Sequence, residues 1–107
     1  MDINELVEVY ADAWRKLDAS LIKPILSNDF TYSSMWVFET LDKNGYLKYL
    51  QGKFHAIKKT GSQITVSTGK NEMGIPSVIL CQDGIRPAYI TVKESNGLIV
   101  EAYMMAY

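Results

Sequence analysis

The chain has one cysteine and one histidine among its 107 residues. Cys81 cannot close a disulfide within the chain, and a cysteine-built metal site is excluded with it. Set in the run Val78-Ile79-Leu80-Cys81, it reads as a small buried hydrophobe. His55 has no cysteine or suitably spaced carboxylate beside it and makes no metal motif; it falls among Lys48, Gln51 and Lys59 as a surface residue. An excess of basic charge is missing too. Eleven Lys and Arg face twelve Asp and Glu, which argues against a nucleic-acid partner. The one basic cluster, Lys53 with Lys58-Lys59, sits at a helix end where cations complement the macrodipole. No apolar run approaches the roughly 20 residues that span a bilayer, so no membrane partner is expected. Met1-Asp2-Ile3-Asn4-Glu5 has neither the basic nor the apolar region of a signal peptide, which makes the cytoplasm the expected location. Gly-x-Ser-x-Gly and phosphate-cradling glycine loops are absent, and no cofactor or metal is expected. Without repeats or linkers, residues 1–107 read as one domain.

What is present is a change of period. Ile3, Leu6, Val7, Tyr10, Ala13, Trp14 and Leu17 recur at spacings of three and four, an apolar face on a first helix with Asp2 and Glu5 as a capping box. The pattern breaks at Leu17-Asp18. A short second helix carries Leu21, Ile22, Ile25 and Leu26, with Pro24 requiring either Ser20 as its cap or a kink. Phe30 to Phe38 alternates as a strand, with Phe30, Tyr32, Ser34 and Trp36 on one face. Leu41 to Gly45 is turn chemistry, and a third helix from about Asn44 to Lys59 shows the stripe Leu47, Leu50, Phe54 and Ile57 before Gly61 ends it. Beyond Ser62 the period becomes two. Strands are expected at 63–68, 77–82, 88–93 and 98–107, with hairpins at Asp83-Gly84 and Asn96-Gly97. The fold class is therefore α+β, with three N-terminal helices packed on a curved antiparallel sheet.

The last strand alternates Leu98, Val100, Ala102, Met104 and Ala106 with Ile99, Glu101, Tyr103, Met105 and Tyr107. Apolar residues on both faces imply that both are covered, one by helices and the other by a second copy. A homodimer through the sheet face is the expected partner arrangement.

The order of elements resembles the nuclear transport factor 2-like superfamily, which includes ketosteroid isomerases and SnoaL-type cyclases. The stretches that carry the likeness are Tyr10-Ala11-Asp12-Ala13-Trp14, Leu17-Asp18, Ile25 to Tyr32, and Asn96-Gly97-Leu98-Ile99. The resemblance implies a cone made by a bent cystatin-like sheet under helices, and dimers. Ketosteroid isomerase chemistry, carried over position by position, would put a tyrosine donor at Tyr10, the carboxylate base at Ser34 and a second donor at Tyr89. Serine cannot exchange a proton near neutral pH as a carboxylate does, so that chemistry is not supported.

An aromatic, hydroxyl-bearing set remains: Tyr10, Trp14, Tyr32, Ser34, Trp36, Tyr89 and Tyr103. These residues line one cavity for a small amphipathic or aromatic molecule, or they fill a core. Three functions stay open at this point: a ligand-binding dimer, an isomerase, lyase or cyclase working through tyrosine donors with Glu101 as base, and a ligand-free protein-interaction dimer.

Overall fold

The computed structural model describes residues 1–84 and 87–106, without the side chains of Val37, Phe38 and Ala106. The sheet faces expected for those three residues and for Tyr107 lie outside the described residues. Helix α1 (Ile3–Lys16) starts on the capping box, with Asp2 Oδ1 accepting from Glu5 N at 2.9 Å and Glu5 Oε1 accepting from Asp2 N at 3.1 Å. It ends at Leu17, whose left-handed backbone (φ 51°) closes the last turn.

The expected second helix is two successive 3-10 turns, Ala19–Leu21 and Lys23–Ile25. Neither reading of Pro24 holds. Asp18 rather than Ser20 is the cap, and Pro24 begins a new turn, where a missing N–H costs nothing.

The alternating segment 30–38 is not one strand either. Strand β1 (Leu26–Ser34) turns at Met35-Trp36 into β2 (Val37–Asp42). Ser34 Oγ accepts from Trp36 N at 3.2 Å and holds the turn. No Gly, Pro, Asn or Asp marks it, so the alternation runs through unbroken. Helix α2 (Lys43–Thr60) is capped by Asp42, which accepts from Gly45 N at 2.7 Å, and ends at Gly61 with φ 70°. Strands β3 (Ile64–Lys70), β4 (Pro76–Gln82), β5 (Ala88–Ser95) and β6 (Leu98–Ala106) follow. Asn96 and Gly97, both at positive φ, make the two-residue turn between β5 and β6.

The six strands form one curved sheet in the order β2-β1-β6-β5-β4-β3. It is not wholly antiparallel: β1 and β6 pair in parallel at its centre. Helix α2 carries the chain from β2 to β3 at the far edge, and the meander β3-β4-β5-β6 returns it beside β1 in β1's own direction. Helix α1 lies against β3, β4 and β5, and α2 against β1 and β2. Both cover one face, which buries Phe30, Tyr32, Val78, Leu80, Ile90, Val92, Ala102 and Met104.

The expected division of β6 fails at one point. A register shift opposite Lys93 and Glu94 turns Ile99 into the core with Ala102 and Met104. Cys81 is half-exposed rather than buried, on the face away from the helices. No helix among the described residues is long and apolar enough to cross a membrane.

Candidate ligand-binding cavity

The aromatic residues of the covered face fall into two groups. One is closed. Tyr32 stacks on Tyr46 with ring centroids 4.2 Å apart, and Phe30 meets Tyr46 at 5.4 Å. Tyr10 and Tyr46 are fully buried, with their hydroxyls hydrogen-bonded to each other. Burial raises the pKa of both well above the ordinary tyrosine value; the bond to Tyr46 lowers that of Tyr10 only in part, and Tyr32 and Tyr49 raise both further. Burial, then the charge Tyr49 would carry, raises Tyr32 as well. The Ser34 hydroxyl lowers it only in part, and the buried Tyr32 oxygen has no hydrogen bond of good geometry. All three phenols stay neutral and none faces open space.

The second group is open. A cavity of about 300 Å³ is bounded by Trp14, Trp36, Tyr49, Lys53, Ile64, Leu80, Gln82, Ala88 and Met104. Each wall follows from the fold. Trp14 ends the buried stripe of α1, while Tyr49 and Lys53 are one helical turn apart on α2. Ile64 opposes Gln82 and Leu80 opposes Ala88, so all four stand at one end of the sheet. Trp36 comes from the β1–β2 turn and is 53% exposed, which makes it the rim. Trp14 is fixed by an edge-on contact with Phe54 at 4.9 Å, and its indole N–H is buried without a partner.

Of the seven residues expected to converge, Trp14 and Trp36 line this cavity. Tyr10 and Tyr32 belong to the closed cluster beside it, and Ser34 is buried, supporting the Trp36 turn. Tyr89 and Tyr103 do not join them. Tyr89 pairs with Ile79 and Met105, and Tyr103 with Thr91, between inward-facing Ile90, Val92, Ala102 and Met104. Alternation therefore puts both tyrosines on the opposite face. Glu101 lies there too, 3.7 Å from Lys93, which corrects its reading as a base in the cavity.

Tyr49, Lys53, Ile64, Leu80, Gln82, Ala88 and Met104 were not anticipated. Part of the signal was legible, because Tyr46, Leu50, Phe54 and Ile57 form the buried stripe of α2 and place Tyr49 and Lys53 on its flank. Starting that stripe at Leu47 hid it.

None of the nine lining residues is a carboxylate, histidine, cysteine or serine, and the titratable side chains of the wall are Lys53 and Tyr49. His55 is exposed and borders a separate cleft with Lys16, Asp18, Ser20 and Lys58. Asp18 is held below its ordinary pKa by hydrogen bonds from Ser20 Oγ (2.6 Å) and N (3.0 Å), then by Lys58 and Lys16. That carboxylate is occupied as a cap. Among the described residues no cluster of three or more His, Cys, Asp or Glu is placed to hold a metal.

No protein-family model matches the chain, and no curated protein does. Solved structures do. A SnoaL-like protein of unknown function from Burkholderia thailandensis superposes with a TM-score of 0.76 at 14% identity, covering 96% of this chain and 92% of that one. An NTF2-like protein of unknown function from Cytophaga hutchinsonii gives 0.70 at 14% identity, over 100% and 91%. A de novo designed protein with a curved β-sheet gives 0.72 at 17% identity, over 100% and 88%. A designed chain reaches the same architecture, so the likeness speaks for fold alone.

Proposed function

We propose that this chain, which has the nuclear transport factor 2-like fold, is a binding protein that holds a small, largely apolar molecule between α1, α2 and the sheet. The observation that carries this reading is the lining: three aromatic rings and four aliphatic or thioether side chains around about 300 Å³. That volume is at the low end of small-molecule sites. An enzymatic reading finds no carboxylate or histidine in the wall, and its candidate donor Tyr89 stands on the other face.

Both tryptophans of the chain line the cavity, so their fluorescence reports on its contents without a label. The neutral probe 2-naphthamide is expected to change that fluorescence saturably, and Ala88→Phe or Leu80→Phe, which fill the space, to abolish the change while circular dichroism stays native. A response that survives both substitutions, or no saturable response from the native chain, overturns the proposal.

A second copy is the proposed partner of the opposite face. Ile79, Tyr89 and Met105 run side by side across three strands there, with Tyr103 next to them, all half-exposed. The Lys93–Glu101 pair on the same face gives it both signs of charge, as a self-complementary contact needs. Light scattering at micromolar concentration is expected to give a dimer, and Tyr89→Glu a monomer. A monomeric native chain contradicts the pairing and leaves the cavity reading intact.

A further inference from the structure

The cavity wall is apolar but unevenly so. Its polar side chains are Lys53, Gln82 and Tyr49. The indole N–H of Trp14 is unpartnered but fully buried behind its ring. Lys53 and Gln82, both half-buried, make no side-chain hydrogen bond or ion pair among the described residues. Buried polar groups in native proteins are satisfied as a rule, and those that are not need an explanation. Lys53 and Gln82 border the same space, which is bounded by one cation and no anion. A neutral hydrocarbon would leave both unmatched.

We propose that the molecule held here is a small, flat monocarboxylate, its carboxylate at the Lys53–Gln82 side and its apolar body against Trp14, Trp36 and Leu80. The inference rests on the binding reading above and adds the class of ligand. One ammonium neutralises one carboxylate, whereas a phosphate monoester would leave a second charge uncompensated in a largely apolar site. Carboxylate oxygens also accept several hydrogen bonds at once, so lysine and amide can share the group. The flat body follows from the two indoles and the Tyr49 ring, since aromatic faces favour offset-stacked or edge-on partners. Size limits it further. The cavity is about twice the volume of an apolar engineered cavity that takes up benzene, enough for one or two fused rings with a short acid.

The experiment compares 2-naphthoate with 2-naphthamide, nearly equal in shape and different in charge, by tryptophan fluorescence on the full chain. The acid is expected to bind about tenfold more tightly or better, and Lys53→Met to bring the two to equal affinity. Lys53→Gln serves the same comparison should the methionine variant not fold. Raising salt is expected to weaken the acid and not the amide. Equal binding of acid and amide to the native chain, or an acid preference that persists without Lys53, overturns the carboxylate assignment while the cavity reading stands. Failure of both compounds to bind removes both proposals together.

Discussion

Two aromatic clusters share one face of the sheet, joined through Tyr49, and only one of them is full. In the closed cluster Phe30, Tyr32 and Tyr46 pack ring on ring, and the Tyr10 and Tyr46 hydroxyls satisfy each other. In the open one Trp14, Trp36 and Tyr49 stand around space, and the Trp14 N–H is left over. The residue types are alike. The open cluster stands at the end of the sheet, where Ile64, Leu80, Ala88 and Met104 line the space without filling it. Aromatic residues at core spacing therefore become a site only where their neighbours fail to fill the gap.

The largest way to break this comparison is alkali. Burial raises the pKa of Tyr10, Tyr32 and Tyr46 above the ordinary tyrosine value of about 10. Groups whose folded pKa exceeds the unfolded one contribute stability in full below about pH 10, and that stability is lost as pH rises from there. Tyrosinate absorbance is expected to lag in the native protein and to appear together with loss of near-ultraviolet circular dichroism. Titration of all seven tyrosines near pH 10 with the fold intact would contradict the closed cluster.

Tyr46→Ala comes next. Truncating a fully buried ring and orphaning the Tyr10 hydroxyl is expected to cost about 3–5 kcal/mol in urea unfolding. A smaller effect separates the hydrogen bond from the packing. Tyr10→Phe and Tyr46→Phe each strand a buried hydroxyl and are expected to cost about 1–3 kcal/mol, while the double variant costs less than the two together. Additive losses would mean that the hydroxyls do not depend on each other. Trp36→Ala, at the rim of the open cluster, is expected to change stability by about 0.5 kcal/mol or less and to weaken 2-naphthamide binding. A cost like that of Tyr46→Ala would mean that the open cluster is core after all.

Much of the architecture was legible because hydrophobic period and turn chemistry are local. The α1 stripe with its Asp2–Glu5 box, the Leu17-Asp18 break, Gly61 and the Asn96-Gly97 turn all appear in the structure. What escaped depends on partners distant in sequence. The turn at Met35-Trp36 is made by a serine hydroxyl rather than by a turn residue. The parallel pairing of β1 with β6 is set by the path of the whole chain. At the site, alternation put Tyr103 and Glu101 on one face of the last strand but could not say which face the helices cover. A one-residue shift at Val100 was enough to exchange Ile99 between them. Cavity and core look the same in one dimension, since the distinction is the volume left between elements.

The most direct test of the open cluster is a nuclear magnetic resonance titration with 2-naphthamide that follows the two indole N–H signals against the backbone amides of Tyr89 and Tyr103. Both indole signals are expected to move saturably, that of Trp14 among the first, while the outer-face amides stay in place. Shifts confined to Tyr89 and Tyr103, with the indoles unmoved, would place binding on the far side of the sheet and leave the space beside Trp14 without a function.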